Sequence, residues 1–376
     1  MPERRILKEI ARVFLKLGII GFGGPAAHIA MMRDEVVVKR KWISDDHFLD
    51  LIGATNLIPG PNSTEMAIHV GRERGGWKGL LIAGACFILP AVLITAFFAW
   101  LYKVYGQLPE VQPFIYGIKP AIIAIILGAV FPLARRSFKT KTLIALGGLV
   151  LAGALLQIHE ITLMLAAGIF SLLVWMVKNR RLNDVQGLMP FTILQILQTG
   201  AVSATSAKLF WTFLKIGSVL YGSGYVLFAF LDTELVATAI MTRQQLIDAV
   251  AVGQITPGPV FSTVTFIGYQ INGWPGAAAA TLGVFLPAFA FVALLNPLVK
   301  RMRGNPRLAA FLDGVNVAAV AVIAAVCIEM GKETITEWRT MLIAGVSLLA
   351  VFGLRKVNNA WIVAGGAILG YLLTLF

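Results

Sequence analysis

Leu57-Ile58-Pro59-Gly60-Pro61-Asn62 interrupts one apolar stretch of the chain, and Ile255-Thr256-Pro257-Gly258-Pro259-Val260 interrupts another, 198 residues later. Proline removes a backbone donor and disfavours helix at the residue before it, so two prolines around a glycine stop a helix. Working outward from these two breaks exposes a repeat. Phe14-Leu15-Lys16-Leu17-Gly18 matches Phe213-Leu214-Lys215-Ile216-Gly217, Gly23 matches Gly222, Glu35 matches Glu234 and Asp50 matches Asp248. Beyond the breaks, Gly71 falls on Gly268, Gly76-Trp77-x-Gly79 on Gly273-Trp274-x-Gly276, Leu89-Pro90-Ala91 on Leu286-Pro287-Ala288, and Gly117 on Gly314. Identical short motifs in one order, at offsets of 199, then 198, then 197, mark a duplication. The units run over 1–182 and 207–376, with 183–206 as a linker or an extra crossing.

Composition places both units in lipid. Of 376 residues 58% are hydrophobic and 14% charged, against about 25% charged in soluble domains. Apolar runs such as Leu80–Leu101, Ala121–Leu133, Leu143–Leu156, Ile161–Val177 and Ala360–Phe376 approach or reach the length that spans a bilayer. The expected fold is an all-α polytopic membrane protein with about six hydrophobic segments per repeat. The net charge of +13 sits in short clusters between apolar runs, Lys39/Arg40/Lys41, Arg135/Arg136 and Lys178/Arg180/Arg181 among them. That is the positive-inside pattern of a multi-pass protein of the cell membrane with a cytoplasmic N-terminus. No nucleic-acid-binding motif accompanies the charge. Cys86 and Cys327 lie inside apolar runs and read as packing residues. No His/Cys spacing fits a metal site, no phosphate-binding loop is present and no cofactor is implied. No cleavable signal peptide is visible, because the first apolar run continues into the repeat.

The breaks point to function. Gly21-Phe22-Gly23-Gly24-Pro25 and Gly222-Ser223-Gly224 interrupt the first segment of each half, and the Pro-Gly-Pro motifs interrupt the second. Non-helical backbone at membrane depth survives only where protein or water satisfies it, and paired breaks in two halves mark a transporter's binding site. A pair of simple kinks is the plainer reading. Around the first two segments the first half carries Arg33, Lys39, Arg40, Lys41, Arg72, Arg74 and Lys78, and the second half only Arg243. The contrast implies opposite sides of the membrane and an inverted repeat. Inversion then requires Leu188–Thr205, with Gln195 and Gln198, to cross, or one broken segment to re-enter.

The motifs around the breaks resemble those of the chromate ion transporter family, in its two-domain form. They are Phe-Gly-Gly-Pro-x-x-His at Phe22–His28, Leu-Ile-Pro-Gly-Pro-Asn at Leu57–Asn62, Gly-Trp-x-Gly-Leu-Leu at Gly76–Leu81, Tyr-Gly-Ser-Gly-Tyr at Tyr221–Tyr225, Gln-Ile-Thr-Pro-Gly-Pro-Val-Phe at Gln254–Phe261 and Leu-Asp-Gly-Val-Asn at Leu312–Asn316. The resemblance implies a transporter of chromate, a small inorganic oxyanion, with sulfate as its close analogue; a homodimer is compatible with it. An anion channel and a membrane-embedded enzyme acting on a lipid-linked substrate are the competing readings. The enzyme would want clustered carboxylates or histidines, which are sparse.

A tetrahedral dianion needs donors and positive potential. A half-helix starting after Pro-Gly-Pro points free amides and its positive dipole end into the break. The expected substrate-binding residues are therefore Pro59, Gly60, Pro61, Asn62 and Ser63 in one half and Pro257, Gly258, Pro259 and Ser262 in the other. Gly23, Gly24, Gly222, Ser223 and Gly224 would let the backbone approach the ion. Lys16 and Lys215, charged and set among apolar neighbours, either face the site or snorkel to an interface. Glu35 and Glu234 either neutralise those lysines or cap a helix. His28, Glu65 and His69, confined to the first half, are candidates for proton coupling or for polar packing. His47 and His159 read as loop or interface residues.

Overall fold

A computed structural model describes residues 2–22, 24–106, 108–179, 206–221, 224–302, 305–353 and 357–375, without the side chains of Pro2 and 295–302. The described residues form helices: α1 (Pro2–Ile20), α2 (Gly24–Arg33), α3 (Asp45–Thr55), α4 (Asn62–Tyr105), α5 (Gln112–Ser137), α6 (Lys141–Leu155) and α7 (Glu160–Lys178) in the first repeat. The second repeat holds α8 (Ser206–Val219), α9 (Val226–Leu231), α10 (Arg243–Ile255), α11 (Thr263–Met302), α12 (Pro306–Thr334), α13 (Trp338–Gly353) and α14 (Asn359–Thr374). Five of the described helices are long and apolar enough to cross a membrane.

Two of these helices are hairpins. Within α4 the chain leaves helical geometry at Gly75 and Gly76, and within α11 at Asn272 and Gly273, with φ +59° at both Gly76 and Gly273. Positive φ suits glycine, which has no Cβ to clash. Gly71 then packs on Gly79 and Ala83, and Gly268 on Gly276 and Ala280, contacts that a straight helix would not allow. The Thr265 and Thr281 hydroxyls meet at 2.7 Å across the second turn. The arm 62–74 is roughly 20 Å long, too short for a hydrocarbon core of about 30 Å, whereas 77–105 suffices.

The arm 62–74 returns to the level at which α3 begins, since His47 Nε2 lies 3.5 Å from Glu73 Oε2. α1 and α2 likewise form a there-and-back pair: Glu9 faces Arg40 at 3.9 Å, and Lys16 faces Glu35 at 2.8 Å. Each repeat thus opens with two re-entrant hairpins, whose tips are the Gly-rich and Pro-Gly-Pro breaks, and continues with long crossing helices. Glu3–Lys78, Glu9–Arg74 and Arg33–Asp45 pairs gather the open ends of the first repeat's hairpins on one face. The corresponding ends of the second repeat lie on the other. There His159, in the α6–α7 loop, meets Glu234 at 3.5 Å, and Ser206 meets Asn272 at 2.7 Å. The repeats run antiparallel. Leu188–Thr205 and Gly23, Gly222 and Ser223 lie outside the described residues.

Packing follows small residues where helices touch and large apolar ones where they face outward. Gly18 sits on the backbone of Phe87 and Gly217 on that of Val284, repeat-equivalent contacts between the first hairpin and the long arm. Gly117 packs on Gly366 and Gly370, and Gly314 on Ala167. Such close backbone approach drives association in lipid, where apolar burial alone contributes little. Leu81, Leu89, Leu93 and Phe97 stay exposed along one stripe of α4, as an apolar solvent allows. Pro297 has no N–H to return to the Ala293 carbonyl. Arg72 supplies the donor instead, at 2.7 Å, and so ties the first repeat to the second.

Candidate functional site

The four hairpin tips meet at the seam between the repeats. Gly60 N–H donates to the Leu220 carbonyl at 2.8 Å, and Gly258 N–H donates to the Gly21 carbonyl at 2.7 Å. Because Gly21 is the repeat-equivalent of Leu220, and Gly60 of Gly258, the two bonds form one reciprocal clasp. Both glycines hold positive φ, +138° at Gly60 and +92° at Gly258. A side chain at Gly60 would run into the Glu65 carboxyl, and one at Gly258 into Ala91. Just past the clasp the returning arms begin, at Asn62 and at the short turn Val260–Ser262 leading into Thr263. The first amides of a helix have no partner within it, so each start presents free donors and a positive dipole end to the seam. Gly24, with φ +78°, places the start of α2 beside the Tyr225 hydroxyl.

The side chains differ between the two tips. At the first, His28 Nε2 donates to the Gly21 carbonyl at 2.8 Å, so Nδ1 accepts from the Ser63 hydroxyl, at 3.3 Å. One carbonyl thus receives both His28 and Gly258, and His28 ties α2 to α4 and to the Gly21 break. Asn62 donates to Asn56 at 2.8 Å. Thr64, Glu65 and His69 are buried, and neither the Thr64 hydroxyl, the Glu65 carboxyl oxygens nor the His69 ring nitrogens have a hydrogen-bond partner. At the second tip hydroxyls are in contact: that of Thr95 lies 3.3 Å from that of Ser262 and 3.5 Å from that of Thr256. Tyr225 and Asn359 both donate to Gln254, at 3.5 and 3.2 Å. Gly224 packs near Val260 and Phe261.

Lys16 and Lys215 do not point at the tips with free ammonium groups. Lys16 binds Glu35, and Lys215 binds Glu234, each lysine held by the carboxylate of its own repeat. Glu35 also takes Lys39, at 3.2 Å, and Arg40. Among the described residues Glu234 takes only His159 besides its lysine. In the loop before α7, the Glu234 carboxylate beside the His159 imidazole raises that group's pKa above its ordinary value. Each glutamate is thus paired with the lysine of its own repeat.

Sequence reasoning missed a second polar cluster. A cavity of about 220 Å³ opens on the second face between the repeats, lined by Tyr102, Gln112, Lys119, Gln244 and Asp248. Tyr102 donates to Asp248 at 2.6 Å, and Lys119 lies 3.4 Å from the same carboxylate. The match of Asp50 to Asp248 was the available signal; the lysine and tyrosine come from α5 and α4 of the other repeat and have no counterpart in it. Both cysteines are free thiols, and among the described residues no group of three or more His, Cys, Asp or Glu side chains is placed to hold a metal.

The family described as chromate transporter matches the chain twice, over residues 8–172 and 207–371. The chain belongs to the chromate transporter family. It is 32% identical to a probable chromate transport protein of Synechococcus elongatus, with 97% of this chain and 95% of that one covered. A chromate transport protein of Cupriavidus metallidurans shares 33% identity over 97% of this chain and 92% of its own length. One of Pseudomonas aeruginosa shares 30% over 99% and 94%. No solved structure matches the chain. The double match assigns one family unit to each antiparallel repeat. It makes the chain a multi-pass membrane protein of a transporter family and not an enzyme.

Proposed function

We propose that this member of the chromate transporter family is a secondary transporter that carries a tetrahedral oxyanion, chromate with sulfate as its analogue, through the seam between its repeats. The observation that carries the reading is the reciprocal clasp of Gly60 on Leu220 and Gly258 on Gly21, which sets two helix starts at one point between antiparallel halves. Helix starts bind oxyanions through backbone amides without a resident cation. The substrate lies against Gly60–Ser63 and Gly258–Ser262, with Gly24 and Gly224 as the neighbouring backbone. Lys16 and Lys215 set positive potential from one turn or more away, balanced at rest by Glu35 and Glu234. The units 1–182 and 207–376 are the two halves that move against each other, joined by 183–206. One chain holds a complete site, so a homodimer would pair complete transporters.

The face bearing Arg33, Arg40, Arg74, Lys78, Arg135, Arg136 and Lys178 is the cytoplasmic one, in the plasma membrane, which puts the N-terminus inside. A dianion leaving a negative-inside cell gains about 4.6 kcal/mol per 100 mV, twice the single-charge value, so efflux needs no further fuel. Purified protein in vesicles with an imposed potential tests this. Saturable chromate flux toward the positive side, inhibited by sulfate and accelerated by trans oxyanion, is expected; non-saturating conductance would indicate a channel.

A further inference from the structure

Glu65 is the least explained group in the fold. It lies on the first turns of the arm 62–74, is fully buried, and neither oxygen has a partner. Its carboxyl occupies the space where a side chain on Gly60 would project, directly under the clasp. The charged or titratable side chains on the elements packed around it are His28 on α2, His69 and Arg72 on α4, Asp50 on α3, Lys16 on α1, Lys215 on α8, and Tyr221 beside the second break. Arg72 is bonded to α11 carbonyls, and Lys16 and Lys215 are held by Glu35 and Glu234. α11 faces this region with Ala288, and Tyr221 lies close enough to feel the Glu65 charge. None of these groups pairs with Glu65, and an isolated buried carboxylate is very costly. The same turn of the second repeat carries hydroxyls, Ser262 and Thr263.

A dianion at the start of this arm and a carboxylate on Glu65 would compete for one positive helix end. Both cannot be held there without a cation, and among the described residues the nearby ones, Lys16, Lys215 and Arg72, are already bonded elsewhere. We infer that Glu65 carries a proton whenever the oxyanion is bound, so that at any pH alkaline enough to ionise Glu65 in the empty protein one proton binds with each oxyanion. In that range the exchange is balanced: the carboxylate gains the proton as the dianion arrives and releases it as the dianion leaves, so the pair carries one net negative charge and the electrical driving force is half that of the bare dianion. Coupling of this kind is reciprocal, so raising pH must weaken oxyanion binding as much as the oxyanion raises the proton affinity. This rests on the site proposed above.

Calorimetric titration of the purified full chain with sulfate and with chromate, at several pH values and in two buffers of different ionisation enthalpy, tests it. Sulfate stays a dianion throughout, so any protons counted belong to the protein; chromate's own protonation cancels between wild type and variant. Wild type should take up close to one proton per sulfate at the alkaline end, where affinity falls about tenfold per pH unit. Glu65→Gln should bind with the affinity wild type shows at acid pH, take up no proton and lose the pH dependence. Glu65→Thr, which copies the hydroxyls of the second repeat, should do the same. Proton uptake that persists in both variants, or none in wild type, overturns the inference while leaving the site in place. Absence of oxyanion binding in wild type at every pH overturns the site and the inference together.

Discussion

The two tips that meet at the seam share a backbone and differ in side chains. Both use a positive-φ glycine between prolines, and both donate that glycine's N–H to the far repeat. The first tip adds a histidine lock and an unpartnered acid; the second adds hydroxyls bonded to one another. What the repeats keep in common is the geometry that presents helix starts, and what they let diverge is the titratable chemistry. On the function proposed above, the common part serves oxyanion binding and the divergent part its control.

The largest effects should come from the common part. Gly60→Leu and Gly258→Leu each force a branched side chain into positive φ and into Glu65 or Ala91, and transport should vanish in both while the protein still inserts. Flux normalised to membrane protein checks this; full activity in one of the pair would show that the tips are not equivalent.

His28→Ala should separate the tips. It removes a donor from a Gly21 carbonyl that still receives Gly258, and strands the Ser63 hydroxyl. A cost of about 1–3 kcal/mol is expected for a lost buried hydrogen bond and its unsatisfied partner, read as a lower thermal midpoint in detergent. No histidine stands at the second tip to match it, so this weakness is peculiar to the first.

The paired lysines should respond unequally. In Lys16→Gln, Glu35 retains Lys39 and Arg40, and with Lys16 half exposed the loss should stay below about 1 kcal/mol. In Lys215→Gln, Glu234 keeps only His159 among the described residues, and a loss of roughly 1–3 kcal/mol is expected for a partly buried carboxylate short of a cation. The sign with pH follows. His159 has a folded pKa above its unfolded value, so its stabilisation is full below about 6.5 and fades as pH rises through the higher folded value. Lys215→Gln should accordingly weaken further on alkalinisation over that window, and Lys16→Gln should not. Thermal midpoints between pH 6 and 8.5, in roughly half-unit steps, would show it; parallel curves would contradict the asymmetry.

The antiparallel arrangement has a test that needs no energy scale. Lys78→Cys and Pro275→Cys, exposed and repeat-equivalent, in a background without Cys86 and Cys327, should react with an impermeant thiol reagent from opposite sides of the membrane. Labelling from one side alone would remove the inversion.

Much of this was legible beforehand. The duplicated Pro-Gly-Pro, the glycine breaks and the loop charges imply two units, interrupted helices and opposed orientations, because proline chemistry and charge placement are local. The return of the chain at Gly76 and Gly273 was not legible: the Gly-Trp motif marks a repeat, but a glycine's φ is decided by what it packs on. The clasp was invisible for the same reason, since it joins residues of different repeats through backbone alone. Lys119, Tyr102 and Asp248 looked unrelated because their meeting depends on how α4, α5 and α10 pack. The pairing of Lys16 with Glu35 and of Lys215 with Glu234 stood among the alternatives, and only the fold selects it.

The most direct test of the central claim is to locate the anion. Chromium scatters anomalously, so diffraction from the chromate-loaded protein at the chromium edge gives the ion's position independently of any interpretation of density. The account predicts a single strong peak at the seam, its oxygens about 3 Å from the amides of Asn62 and Ser63 and of Val260 and Phe261. A peak beside Lys119 and Asp248, or against Lys16 or Lys215 with none at the clasp, would contradict it.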